Sequence, residues 1–131
     1  VLDMYRQMFI SLKRGHVKGV YSNAKPIFLI TLLDYFSNNN SNKLVWGDKS
    51  FETLYEDNCK RLNLSKPTPL WKPFYYMSSE PFYSLVWKDE PPQKLLKYPS
   101  QRTLKEYLDY AKLDEQLWEL LQEECNRAIL R

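Results

Sequence analysis

The sequence predicts a mainly α fold of the α+β kind: about five helices around a buried leucine-rich helix, with one small antiparallel β-hairpin. Three observations carry this expectation. Apolar residues recur at three- and four-residue spacing in several stretches, one stretch is apolar nearly all round, and a proline-dense segment holds aromatic and β-branched runs instead. The chain has 131 residues. That suits a single domain over 1–131, because two independent cores would each have only ~65 residues to build from.

Leu2, Tyr5, Met8, Phe9 and Leu12 share one face of a first helix, and Gly15 is its natural stop. Lys13, Arg14, His16 and Lys18 crowd that exit, where cations complement the negative helix end. A second helix begins near Asn23-Ala24-Lys25-Pro26, with Asn23 as cap and proline tolerated in the first turn. From Ile27 to Phe36 it has almost no polar side, so it is the central buried helix, and the polar run 37–42 ends it.

Lys43 to Trp46 reads as a short extended piece, and Asp48 caps a third helix whose inner face carries Phe51, Leu54, Tyr55, Asn58, Cys59 and Leu62. Prolines at 67, 69, 73, 81, 91, 92 and 99 forbid a long helix beyond it. Within that stretch, 74–77 and 82–88 read as the two strands of a hairpin closed by 78–81. Ser100 caps a fourth helix with Leu104, Tyr107, Leu108 and Ala111 inward, and Asp114 caps a fifth running through Leu117, Trp118, Leu121, Ala128 and Leu130.

Composition excludes several classes of protein. The mean hydropathy of −0.58 and the lack of a long apolar run argue against a membrane span, which needs about 20 apolar residues. Nothing at the start of the chain reads as a secretory signal, so a soluble, cytoplasmic protein is expected. Aromatic residues make up 15% of the chain, ample surface for a core, so disorder is not expected. Cys59 and Cys125 are isolated and His16 is the single histidine, which leaves no zinc pattern and no disulfide framework.

Catalytic sets are missing as well. His16 has no partner nucleophile motif, the three glycines form no phosphate-binding loop, and carboxylates near lysines read as solvated charges. No enzyme activity, metal or cofactor is expected of this chain.

Binding is better supported. Residues 1–105 carry 16 basic and 9 acidic side chains, a balance of +7, whereas 106–131 carry 3 and 7, a balance of −4; together these give the net +3. A basic face for a polyanion and an ordinary surface beside an acidic helix both fit this asymmetry. Trp71, Lys72, Pro73, Phe74, Tyr75 and Tyr76 stand together, with Lys66 before them and Lys94, Lys97 and Arg102 after. Interleaved cations and aromatics are what a nucleic-acid surface requires, and the same residues also fit core aromatics edged by lysines.

Three blocks in order, 23–34 (Asn-Ala-Lys-Pro-Ile-Phe-Leu-Ile-Thr-Leu-Leu-Asp), 72–87 (Lys-Pro-Phe-Tyr-Tyr-Met-Ser-Ser-Glu-Pro-Phe-Tyr-Ser-Leu-Val-Trp) and 108–114 (Leu-Asp-Tyr-Ala-Lys-Leu-Asp), give the chain a family likeness. It resembles the DNA sulfur-binding domain at the front of McrA-type HNH restriction endonucleases, over nearly its whole length. The resemblance implies a bacterial restriction or defence module that reads phosphorothioate double-stranded DNA, with any cutting done by a nuclease domain or partner elsewhere. Sulfur is larger and a poorer hydrogen-bond acceptor than the oxygen it replaces, so an apolar cup with a cationic rim discriminates in its favour.

Carried over residue by residue, Pro73 matches the proline of the cup, with Phe74, Tyr75 and Tyr76 beside it. Lys25 and Pro26 match the basic start of the leucine-rich helix and Arg102 the later basic group, while Lys72, where the family often has tyrosine, is a further candidate cation. The alternative from another class is a protein-interaction or dimerisation domain whose aromatic hairpin and acidic last helix dock onto a partner, or a reader of unmodified or otherwise modified DNA.

Overall fold

The computed structural model of the chain describes residues 2–11, 16–17, 20–21, 24–38, 41–62, 68–97 and 99–123. The expectations placed on Lys13, Arg14, Gly15, Lys18, Asn23, Lys66, Pro67, Cys125 and the end of the last helix lie outside these residues. In chain order the elements are α1 (Leu2–Ile10), β1 (His16–Val17), β2 (Val20–Tyr21), α2 (Ala24–Ser37), β3 (Leu44–Val45), α3 (Lys49–Arg61) and α4 (Trp71–Tyr76). A 3-10 turn (Met77–Ser79), β4 (Tyr83–Trp87), α5 (Gln93–Lys97), α6 (Gln101–Tyr107), β5 (Leu108–Leu113) and α7 (Glu115–Leu120) complete it. The mainly α fold around a leucine-rich helix is what the sequence predicts.

Helix α2 is the axis of the core, with nine of its fourteen residues buried. Phe28 is its hub: the rings of Phe51, Phe74 and Tyr83 meet it edge-on at 5.5, 5.9 and 5.8 Å. Edge-to-face contacts at these separations suit the ring quadrupoles, so the aromatic content is concentrated where it stabilises most. The buried hydroxyl of Thr31 donates to the Ile27 carbonyl at 2.8 Å and accepts from Asn58 Nδ2 at 2.9 Å. That bond joins α2 to α3 without leaving a buried polar atom unmatched. Pro26 falls in the first turn, where a missing N–H costs nothing.

The caps at Asp48 and Ser100 form as expected. Asp48 accepts from the backbone N–H groups of Ser50 and Phe51 at 2.9 and 3.1 Å, and Ser100 forms a reciprocal box with Thr103. Asp114 stands at the cap position of α7 but makes no cap bond with its side chain; its carboxylate accepts instead from the Tyr5 hydroxyl. Cys59 is a buried thiol of α3, as expected.

The hairpin predicted over 74–88 does not form. Residues 71–76 are helical, 77–79 continue as the 3-10 turn, and only 83–87 is a strand. Pro73 is the third residue of α4, inside the first turn, so it does not break the helix. The run of aromatics satisfies burial from a helix as well as from a strand, since β-propensity is largely packing.

The partner of β4 is β5, and β3 pairs on its other side, in an antiparallel sheet of order β3-β5-β4. The fourth helix therefore ends at Tyr107, and residues 108–111, expected as its continuation, belong to the central strand Leu108–Leu113. The reason is a bulge. Tyr110 pairs with Val86 while Leu108 pairs with Trp87, leaving Asp109 as the extra residue. The bulge resets the alternation, so Leu108 and Ala111 are both buried three positions apart. That spacing imitates a helix.

The amide of Asn42 completes the sheet edge by bonding both the carbonyl and the N–H of Leu113, at 2.7 and 2.9 Å. A second, two-residue antiparallel pair, β1 with β2, lies between α1 and α2.

Candidate nucleic-acid interface

The positions expected to bind DNA divide into core and surface. Pro73 and Phe74 are buried, and Phe74 takes edge contacts from Trp46 at 4.9 Å as well as from Phe28. Pro73 is therefore not open to solvent, contrary to the sequence expectation, while Phe74 anchors α4 to α2 at Phe28 and lines an inner cavity.

Lys25 is also engaged internally. Its ammonium donates to Ser79 Oγ at 3.0 Å and lies 3.4 Å from Glu80 Oε1, with the two side chains only 12% and 5% exposed. A carboxylate so enclosed needs a cation. Lys25 is therefore a structural partner of Glu80, and its charge is neutralised. Pro26 next to it is half-buried.

The outer side of α4 is different. Lys72 and Tyr76 are four residues apart on one face of the helix, both exposed, with Tyr76 47% accessible. Between them on the inner side, Tyr75 donates to the Leu96 carbonyl at 3.0 Å and stands 6.4 Å from the Trp87 ring. Burial raises the pKa of Tyr75, with the neighbouring Tyr76 a smaller cause, so it is a neutral donor tying α4 to α5. Helix α6 packs against α4.

These three short helices carry Lys72, Lys94, Lys97, Arg102 and Lys105, all exposed, against one acidic residue, Glu106. Arg102 Nε donates to Glu106 at 2.8 Å and its side chain is 84% accessible. At that exposure the pair is worth little, and the guanidinium is free to exchange partners. By contrast α3 is balanced, with three basic and three acidic residues, and α7 carries only Glu115 and Glu119. Lys72, Tyr76 and Arg102 are thus exposed on two helices that pack together, while Lys25, Pro73 and Phe74 lie in or near the core.

Sequence reasoning missed a cavity of about 690 Å³ behind this side. Its apolar wall is Trp46, Phe51, Tyr55, Leu70, Trp71 and Phe74. Tyr55 donates to the Thr68 carbonyl at 2.8 Å, which pins the far lip against α3. Gly47, at φ +94°, makes the turn that carries Trp46 into the wall before α3 begins. The signal was Trp46-Gly47-Asp48 before a helix and Leu70-Trp71 after it, but only the fold places the two tryptophans at one hollow.

Among the described residues, no group of three His, Cys, Asp or Glu is placed to hold a metal ion, and no helix is long and apolar enough to cross a membrane. No protein-family model matches the chain, and no curated protein matches it significantly.

Proposed function

We propose that this chain is a DNA-binding module that reads the duplex backbone, with α4, α5 and α6 facing the phosphates and no catalysis of its own. One observation carries the reading: five exposed cations and one carboxylate on three adjoining helices, in a chain whose other described helices are balanced or acidic. Lysine and arginine on such a face release condensed counterions when they meet phosphates, and this sequence-independent term dominates affinity.

The finer proposal, discrimination of a phosphorothioate, moves from Pro73 to the exposed ring of Tyr76. A soft, weakly hydrated, anionic sulfur gains from packing against the positive edge of the aromatic ring, which serves the strongly hydrated oxygen less well, while Lys72 one turn away balances the charge. A nuclease that acts on the bound site belongs to another domain or partner.

Binding to matched duplexes with and without one sulfur-substituted phosphate, across a salt series, tests both levels. The expected log–log slope is about −0.9 per phosphate contacted, and Lys72→Ala reduces it by about one contact. Lys72→Ala and Tyr76→Ala leave the melting temperature nearly unchanged, because both side chains are exposed. Absence of binding to either duplex at low salt refutes the module; equal binding to both refutes only the sulfur preference.

A further inference from the structure

We infer that the cavity behind the basic side receives a single unstacked nucleobase of the bound strand, and that it favours bases carrying an exocyclic amino group. This inference rests on the DNA-binding reading above. The cavity, about 690 Å³, lies within the range of small-ligand sites, and its wall holds two tryptophans, Trp46 and Trp71. A base out of the stack loses its neighbours and regains them only against aromatic faces, the contact such a wall supplies.

Position and charge fix the rest. Trp71 and Gln101 line the cavity, and the residues that follow them, Lys72 and Arg102, belong to the basic side. The Lys72 ammonium lies 5.9 Å from the centre of the Trp71 ring. A phosphate held at Lys72 or Arg102 is therefore next to the mouth, within reach of its own base.

The polar groups at the opposite lip carry both signs: Glu52 and Glu56 bring carboxylates, and Lys49 and Lys60 bring ammonium groups. Lys49 lies 3.5 Å from Glu52, and the Asp48 carboxylate is already occupied by Ser50, Phe51 and Tyr35, so Glu56 is the carboxylate that offers an acceptor to a base. Carboxylates repel a phosphate but accept from an amino group. The chemistry thus separates the nucleotide, with the backbone on the cationic helices and an amino-bearing base in the hollow. Adenine and cytosine present an amino group with two N–H donors; unpaired thymine presents two carbonyl acceptors, a methyl group and a single N3–H.

Two measurements on the whole chain test this. Deoxyadenosine, deoxycytidine and thymidine, which lack phosphate, are titrated while tryptophan fluorescence is followed. Saturable quenching by the first two and weaker quenching by thymidine is expected, with affinity falling about tenfold in Trp46→Ala. The exposed Gln101→Ala provides a second variant that leaves the fold intact.

Separately, affinity is compared for a fully paired duplex, one with a single bulged adenine, and one with an abasic residue at the same place. An already unpaired base spares the cost of extrusion, so the bulged adenine should bind about tenfold tighter than the other two. Equal affinity for all three, or no saturable nucleoside binding, overturns the inference and leaves the DNA-binding reading standing. Failure to bind any duplex overturns that reading and, with it, the extrahelical base.

Discussion

Asp48 carries more of the local structure than any other single side chain in the described residues. Its carboxylate accepts from Ser50 N, Ser50 Oγ, Phe51 N and the Tyr35 hydroxyl at 2.9, 2.6, 3.1 and 2.9 Å. Burial alone would raise its pKa, but these donors outweigh burial and hold the carboxyl below its usual range. The bonded form is the anion, so its stabilising effect is complete above the ordinary carboxyl value of about 3.9 and is lost as the pH falls through the lower folded value.

Tyr35 mirrors this at the other end of the scale. Burial, then the bond to Asp48, pushes it from 10 up to about 12, so its contribution holds below 10 and is lost as the pH rises towards 12. Asp48→Ala should cost about 1 kcal/mol in urea denaturation at neutral pH, and Asp48→Asn less, since an amide oxygen still caps. Tyr35→Phe should flatten the alkaline limb and, by removing one of the donors to Asp48, weaken the acid limb in part. An unchanged acid limb in Asp48→Asn would show that the carboxylate is not the group protonated there.

Lys25 calls for a similar test. Removal of the cation from a nearly buried Glu80 should destabilise Lys25→Met by about 2 kcal/mol, with Glu80→Gln recovering part of the loss in the double variant. DNA affinity should change little, since the ammonium already faces Glu80. A loss of affinity at constant stability would return Lys25 to the binding surface.

At the scale of elements, α4 decides how the rest is arranged. Its inner residue Phe74 packs on Phe28 of α2 beside the buried Pro73, its outer residues Lys72 and Tyr76 reach solvent, and Trp71 lines the cavity. Phe74→Ala should therefore cost about 3–5 kcal/mol and collapse the cavity wall together with the core, whereas Lys72→Ala changes binding alone. Thermal melts of the two variants distinguish these outcomes: a mild Phe74→Ala would mean that α4 is not seated on Phe28.

Where an element is set by local chemistry, the sequence was legible. Caps at Asp48 and Ser100, the polar stop after Ser37 and the all-round apolar pattern of 27–36 each act within one or two turns. Where periodicity was ambiguous, it misled. The aromatic block 74–77 has no preference that distinguishes a helix turn from a strand, and the bulge at Asp109 gives β5 the three-residue spacing of a helix. The basic side was legible as composition, because Lys72, Lys94 and Arg102 are charged whatever their surroundings. Its division from Lys25 and Pro73 was not, since that depends on Glu80, 55 positions from Lys25.

Across the whole molecule, the start of the chain closes the far end of the sheet. Phe9 meets Phe82 edge-on at 5.1 Å, and the Tyr5 hydroxyl donates to Asp114, whose own N–H donates to the Phe82 carbonyl at 2.8 Å. Tyr5 is completely buried, and burial first, then the Asp114 bond, raises its pKa, so the hydroxyl stays protonated as the donor. Helix α1 alone is too short to be stable in water, and so its order depends on this long-range seat.

Tyr5→Phe keeps the ring and should cost only about 1 kcal/mol, because the partly exposed Asp114 can turn to water. Tyr5→Ala leaves a cavity and should cost about 3–5 kcal/mol, a large share of the ~5–15 kcal/mol that holds a domain folded. Far-ultraviolet circular dichroism and tryptophan fluorescence should give one coincident urea transition for wild type and Tyr5→Phe with the same slope. In Tyr5→Ala the transition should move to lower urea, with helix content lost before the fluorescence changes as α1 leaves first. A Tyr5→Ala protein as stable as wild type would mean that α1 rests on the surface and that the core is complete without it.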